Sequence, residues 1–425
     1  MKVDLSPARG TRDLLPATVA VRDHVLATIT EVYRRYGYQR IETPALENIE
    51  RLQGGQGGEN EKLIYRVLRR GLDERLAADT PVTDLVDLGL CYDLTVPLSR
   101  FYGNNRATLP DPFRSFQVGP VWRAERPQKG RYRQFYQCDV DVLGEPSVLA
   151  EVELIEATTE ALAATGLSGT TVRVSDRRFL SALAAQVGLP EPAWDGLFVT
   201  LDKLDKIGWD GVRAELAGRG LEPAQVDTLA GTIGGLHGLD EGELVDALAA
   251  ALPGLGEDML ADLRTTTGAL GELARQRDLK WEFDPTLVRG MGYYTGQIFE
   301  IVHPASAGSV AGGGRYDRLI GRFLGADVPA CGFSIGFERI VDLLGAPDAA
   351  PAVAVLYEAD VAPAVALAVA RRLRADGRVV SPIRRRGKFG AQLGRLTEWG
   401  FGSFTHLRAD TDPAAPLEVR SLGQT

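Results

Sequence analysis

Between Arg114 and Arg133 the chain reads RSFQVGPVWRAERPQKGRYR, and Arg114, Arg123, Arg126, Arg131 and Arg133 interleave there with aromatic side chains. Five guanidiniums so close together need anionic partners. A polyphosphate supplies them, because guanidinium pairs bidentately with phosphate oxygens and its planar face, like an aromatic ring, stacks on a purine. The competing reading is a salt-bridged strand pair, with Glu125, Asp139 and Asp141 neutralising part of the charge. No GxxxxGK[ST] phosphate loop accompanies the cluster. His24, His237, His303 and His406 lie far apart, and Cys91, Cys138 and Cys331 lack the CxxC or Cys/His spacing of a metal centre. No metal site is expected.

These residues need a scaffold, and 425 residues with 44% hydrophobic content exceed one domain, so two or three folded units are expected. Residues 17–36 place Val19, Val21, Val25, Leu26, Ile29, Val32 and Tyr33 at helical spacing, with Gly37 as the stop. YQRIETPALE reads as a strand entering a turn at Pro44. From 63 to 145 the runs LIYRVL, PFRSFQVGPVW and RQFYQCDVDVLG predict antiparallel strands joined by loops, and 146–165 predicts a helix. From 176 to about 275 the composition turns to Ala, Leu, Gly, Asp and Glu in amphipathic helical patterns, the mark of a helical insertion. Strand signals resume at WEFDPTLVRGMGYYTGQIFEIV, pass a Gly-rich turn at AGGGRYDRLI and reach ACGFSIGFERIVDLL. The two β-rich parts should build one sheet. A linker, GAPDAAPA at 345–352, leads into a βαβαβ pattern. The expectation is an α+β fold: an antiparallel sheet flanked by helices in a unit over 1–345 with its insertion, and a small α/β unit over 346–425.

A net charge of −9 argues against a general nucleic-acid coat, because non-specific binding rests on Lys and Arg neutralising phosphates. Local clusters at Arg114–Arg133 and Arg384–Lys388 could still grip a backbone. The start, MKVDLSPARGTRDLLP, lacks the apolar run of a signal segment, and no stretch approaches the roughly 20 apolar residues of a membrane span. A cytoplasmic protein without membrane contact is expected, in keeping with sparse cysteines.

The string WRAERPQKGRYRQFYQCDVD resembles motif 2 of class II aminoacyl-tRNA synthetases, and its QKGRYRQF core is similar to the histidyl-tRNA synthetase family. LVRGMGYYTGQIFE resembles the histidine signature of that family, and GFSIGFERI resembles motif 3. SPARGTRDLLP, GYQRIETPALE, GGENEKLIYRVLRRG, YDLTVPLSRFY and AGGGRYDRLIG match in order and spacing, so the resemblance covers nearly the whole chain. It implies activation of histidine by ATP as histidyl-adenylate and transfer to tRNA(His), by a homodimer, with Mg²⁺ helping to screen the phosphates. Carried over by position, it makes Arg123 the arginine on the α-phosphate, Glu125 its neighbour near the adenine amine, Arg131 a further ATP contact and Arg339 the holder of the γ-phosphate. Arg289 would face Arg123 across the α-phosphate. Asp93, Thr95 and Gln137 would surround the α-ammonium, and Asp141 and Tyr294, with Tyr293 beside them, would meet the imidazole nitrogens. A carboxylate at one ring nitrogen and a phenol at the other would reject an apolar amino acid by roughly 10⁴ or more, because both groups would be left unpaired. Gly312, Gly313 and Gly314 read either as close backbone approach to that amino acid or as a tight turn.

Three positions depart from the family pattern. Cys91 stands where an arginine is usual, which predicts a missing cation at the floor of the site, and Gly292 fills a slot that often holds Asp or Ser. In the C-terminal unit GKFGAQLGRLTEWGFGSF replaces a more basic segment, which predicts weakened anticodon reading. These departures keep open a divergent paralogue that passes the aminoacyl group to a non-tRNA acceptor. A third possibility is a non-catalytic regulatory subunit of the ATP phosphoribosyltransferase type, against which the presence of Arg123, Arg289 and Arg339 argues.

Overall fold

Val21, Val25, Ile29, Val32 and Tyr33 recur at three- and four-residue intervals, and in the computed structural model they form the buried stripe of the helix Pro16–Arg35. Pro16 opens that helix, where its missing N–H costs nothing, and Gly37 turns the chain out of it at a φ of 82°. The structure describes residues 4–54, 60–72, 80–126, 131–277, 279–289, 293–344 and 352–424. Gly292, loop residues 127–130 and all of the expected linker except Ala352 lie outside the described residues. Two units are distinguished, Met1–Gly345 and Ala346–Thr425.

In the first unit the chain runs through β1 (Gln39–Ile41), β2 (Leu46–Asn48), β3 (Arg66–Leu68), β4 (Val86–Leu90), a helix Thr95–Asn105, β5 (Phe113–Trp122) and β6 (Gln134–Leu143). A helix Leu149–Ala164 and β7 (Thr171–Asp176) precede the helices between Arg177 and Arg277. The chain then returns as β8 (Lys280–Phe283), β9 (Gln297–Val302), β10 (Ala311–Arg315), a helix Asp317–Leu324, β11 (Ala330–Ile335) and a helix Phe337–Leu343. Among the described residues eight of these strands form one sheet, in the order β1-β5-β6-β11-β10-β9-β7-β8. Pairing is antiparallel except at the two ends, where β1 joins β5 and β7 joins β8 in parallel. Strands from before and after the insertion thus share one sheet.

The sheet separates two environments through the period of two along β6. Cys138, Val140 and Val142 point into a core shared with Val25, Ile29, Tyr33, Leu154 and Ile155 from the helices behind. Gln137, Asp139 and Asp141 point the other way, into a cavity.

Two expectations need correction. Ala311–Arg315 is not a turn but the fully buried strand β10. Its glycines serve close packing of backbones: a Cβ on Gly313 would stand 2.0 Å from the Gly332 carbonyl oxygen, and one on Gly314 would stand 2.6 Å from that of Gln297. The loops expected between strands also include a helix, Thr95–Asn105, whose Pro97 falls in the first turn, where an N–H has no intrahelical partner.

The second unit holds β12 (Ala352–Tyr357), a helix Pro363–Ala375, β13 (Val380–Arg384), a helix Phe389–Glu398, β14 (Phe401–Leu407) and the short β15 (Arg420–Ser421), with strand order β13-β12-β14-β15. The first three are parallel. β12 reads AVAVLY without polar alternation because both its faces are covered. Val353 and Val355 pack with Ala366 and Val369, while Ala354 and Leu356 pack with Leu393 and Leu396.

Candidate active site

The cavity over β5, β6, β10 and β11 has a volume of about 520 Å³, and Asp93, Thr95, Arg123, Glu125, Arg131, Gln137, Asp141, Arg289, Tyr293, Tyr294 and Arg339 all line it. They arrive from widely separated parts of the chain. Asp93 and Thr95 precede and open the helix Thr95–Asn105, Arg123 and Glu125 follow β5, Gln137 and Asp141 ride on β6, and Arg339 sits on the helix Phe337–Leu343. Arg289, Tyr293 and Tyr294 belong to the segment between β8 and β9.

One part of the cavity is cationic. Arg123 donates from Nε to the Tyr92 carbonyl at 3.0 Å and lies over the Phe135 ring, 5.0 Å from its centroid. Arg289 donates from Nε to Glu300 at 3.1 Å and bonds the Ser309 hydroxyl, while Arg339 bonds the Ser309 carbonyl. Burial, followed by repulsion from Arg289 and Arg131, lowers the pKa of Arg339. Cations held so close are relieved by an anion with several oxygens.

The other part is acidic. Burial raises the Asp93 carboxyl to about 6, against the Val96 N–H and Arg123, which hold it down. Asp141 is pushed to about 7 by burial, opposed by the Tyr316 hydroxyl that donates to it at 2.5 Å. Asp139 reaches about 8, through burial first and the neighbouring Asp141 second. Carboxyls raised toward neutral pH in this way are driven to the ionised form beside a cationic ligand. Tyr293 and Tyr294 meet at a tilt of 42°, 4.2 Å between centroids, next to this group. The arrangement suits a ligand with a cationic head and polar ring at one end and phosphates at the other.

Glycines make room for it. A Cβ on Gly312 would fall 2.1 Å from Arg289 Nη1, and one on Gly332 would fall 2.1 Å from Asp141 Oδ1.

Not every residue singled out in the sequence reaches the cavity. Arg114 pairs with Glu153 at 2.6 and 2.8 Å, and Arg133 donates to the backbone carbonyls of Glu125 and Arg9. Arg126 is exposed and outside the lining. The reading of five guanidiniums on one phosphate site is therefore corrected: two of them line it, and Arg289 and Arg339 complete the set. Cys91 is buried, its thiol pushed up to about 12 by burial, and the nearby Arg100 pairs with Glu47 at 2.5 Å without lining the cavity.

Sequence reasoning missed Asp139, Ser334, Tyr316, Ser309 and Glu300 as site residues. Asp139 was legible from the alternation in YQCDVD, which puts it on the same face as Gln137 and Asp141. Ser334 and Glu300 depend on cross-strand register, and Tyr316 and Ser309 on the residues flanking β10. Ser334 faces Asp139 through the β6–β11 pairing, and Glu300 faces Gly312 through β9–β10. Among the described residues no group of three His, Cys, Asp or Glu is placed to hold a metal ion.

Residues 10–340 match the family model described as histidyl-tRNA synthetase. The chain is 49% identical to a histidine-tRNA ligase of Leifsonia xyli, with 99% of each chain covered. It is 41% identical to a probable histidine-tRNA ligase of Tropheryma whipplei, over 96% of each. Among solved structures, a histidyl-tRNA synthetase from a Nostoc species superposes with a TM-score of 0.81 at 27% identity, covering 99% of this chain and 96% of that one. A structure titled as an ATP phosphoribosyltransferase regulatory subunit/histidyl-tRNA synthetase, from Bacillus halodurans, gives a TM-score of 0.76 at 22% identity, covering 96% of this chain and 98% of that one, which shows a shared fold.

Proposed function

The chain belongs to the histidyl-tRNA synthetase family, and from that premise we propose how its cavity activates histidine with ATP for transfer to tRNA(His). The observation that carries the proposal is the joining, in one cavity, of an arginine cluster and a carboxylate-lined end. Histidine enters at the acidic end. Asp93, Thr95 and Gln137 receive the α-ammonium, while Asp141 and Tyr294, with Tyr293 packed beside them, read the imidazole. ATP lies across the cations with its α-phosphate between Arg123 and Arg289, its γ-phosphate on Arg339 and its base near Glu125 and Arg131.

An oxygen of the histidine carboxylate then attacks the α-phosphorus, and the bond to the bridging oxygen breaks to release pyrophosphate. No side chain serves as nucleophile, because the substrate already carries one. Charge builds on the α-phosphate oxygens as the bonds exchange, and Arg123 and Arg289, already anchored by Tyr92 and Glu300, are held ready to stabilise it. Arg339 offsets charge on the leaving pyrophosphate. In the second step a ribose hydroxyl at the tRNA terminus attacks the activated carbonyl and AMP departs. Mg²⁺ enters with ATP as part of that substrate.

The alternative acceptor and the regulatory role are not favoured, since the likeness to histidine-tRNA ligase covers 99% of the chain and so includes the C-terminal unit. We further propose a homodimer, supported by exposed Leu5 and Leu15 beside the helix Pro16–Arg35, and a cytoplasmic setting, supported by three buried free thiols. Among the described residues no helix is long and apolar enough to cross a membrane. The test of function is histidine-dependent ATP–pyrophosphate exchange alongside charging of tRNA(His) by the purified protein. Both activities are expected; exchange without charging would overturn the transfer step, and no exchange would overturn activation.

A further inference from the structure

Asp139 stands between Gln137 and Asp141 on the cavity face of β6, and the reaction above gives it no role. Both its oxygens are engaged: Ser334 Oγ donates to Oδ1 at 2.5 Å, and Gln137 Nε2 approaches Oδ2 at 3.5 Å. Gln137 Nε2 also donates to Ser334 Oγ at 3.3 Å. The nitrogen end of the Gln137 amide is thereby held toward β11. Its oxygen, Oε1, is buried and has no partner among the described residues. A buried acceptor left unmet is costly, so this one calls for a donor from a ligand. Once ionised beside a cationic ligand Asp139 only accepts, and Ser334 spends its hydrogen on Asp139, so both neighbours hold the amide nitrogen toward themselves and leave the oxygen as the acceptor for a ligand.

From this triangle we propose that Asp139 is a positioning residue for the amino-acid ammonium: together with Ser334 it fixes the Gln137 amide so that Oε1 accepts from the α-ammonium of histidine. The proposal rests on the assignment of Gln137 to the ammonium made above. With the amide reversed, an NH₂ group would face the ammonium, donor against donor. The groups around Asp139 are Asp141 and Gln137 on its own strand, Ser334 on β11, Asp93 before the helix Thr95–Asn105, Arg123 after β5, and Tyr293. The ammonium also relieves the repulsion among the three carboxylates of this set.

The test is calorimetric binding of histidine and of imidazolepropionate, which lacks only the amine, to the full-length protein and its variants. Asp139→Asn should weaken histidine about tenfold to a hundredfold, the worth of one hydrogen bond to a charged group, and leave imidazolepropionate within about twofold. Ser334→Ala should act in the same direction without removing a charge, and it carries the test if Asp139→Asn does not fold. In a Gln137→Ala background Asp139→Asn should add little. Equal weakening of both ligands, or an Asp139→Asn effect that persists undiminished without Gln137, would overturn the positioning role. So would unchanged histidine binding in Asp139→Asn and Ser334→Ala while Gln137→Ala weakens it, an outcome that leaves the ammonium assignment intact. Unchanged binding in Gln137→Ala would overturn that assignment itself.

Discussion

Gly312→Ala adds one methyl group inside β10, and its consequence should fall on catalysis rather than on folding. The new Cβ would lie 2.1 Å from Arg289 Nη1 and 2.2 Å from Cζ, whereas ordinary contact begins at 3.4 Å, so the guanidinium must retreat by roughly 1 Å or more. Retreat is possible because the atoms met are the far end of a flexible side chain. It pulls Arg289 from Glu300 and Ser309, which hold it toward the cavity. Gly312 has an extended backbone, and alanine suits a strand at least as well as glycine, so the folding cost should stay within about 1 kcal/mol. A displacement of about 1 Å, or loss of one transition-state donor, lowers the rate on the order of 10²-fold, equivalent to about 2.7 kcal/mol of barrier. Single-turnover adenylate formation should show that loss, with little change in the histidine or ATP concentration required and a thermal midpoint near that of the parent. Arg289→Ala should lose a similar factor, and the double variant should be no worse than Arg289→Ala alone. A folded Gly312→Ala protein with near-normal adenylate formation would refute the role assigned to Arg289, as would fully additive losses.

The neighbouring glycines separate the effects. Gly332→Ala would press on Asp141 Oδ1 and should raise the KM for histidine about tenfold or more without moving that for ATP; Asp141→Ala should act alike, and steady-state kinetics at saturating ATP decide it. Gly313→Ala meets a backbone oxygen at 2.0 Å that cannot turn aside, so thermal unfolding should report destabilisation of about 1–3 kcal/mol. As pH rises from 6 to 8, the KM for histidine should fall, since Asp93 and Asp141, which meet the ammonium and the imidazole, ionise near about 6 and 7, and Asp139, which holds Gln137, near about 8. Ligand-free stability carries the opposite sign. The folded pKa of Asp139 lies above the ordinary value of 3.8, so the stability of its neutral form is lost as pH rises from about 4 to about 8, and Asp139→Asn should gain in melting temperature over the parent across that range. A constant difference between the two melting curves would contradict the raised pKa.

How much of this was legible depended on the range of the interaction. The helix Pro16–Arg35, β5, β6 and the βαβαβ unit follow from apolar periodicity within about 20 residues. The glycine strand β10 did not, because its reason is the approach of the Gly332 and Gln297 carbonyls from neighbouring strands, and the chain itself shows only a breaker-rich string. The arginine cluster was visible as a count but not as a direction. Glu153, on the helix Leu149–Ala164, draws Arg114 away, and Arg289 and Arg339 join only once the sheet is assembled. The eleven residues assigned by family resemblance do line one cavity, yet Ser334 and Tyr316 are tied to Asp139 and Asp141 by cross-strand and loop contacts that no local pattern encodes.

The central claim is that histidine and ATP are joined inside this cavity, with the arginines at one end and the carboxylates at the other. The most direct measurement is calorimetric titration of the parent protein and of Arg289→Ala and Asp141→Ala with a non-hydrolysable sulfamoyl analogue of histidyl-adenylate. One analogue should bind per chain, each substitution should weaken it about tenfold or more, and the matching alanyl analogue should bind far more weakly to the parent. Binding that ignores both substitutions, or that fails to distinguish the histidyl from the alanyl analogue, would contradict the account.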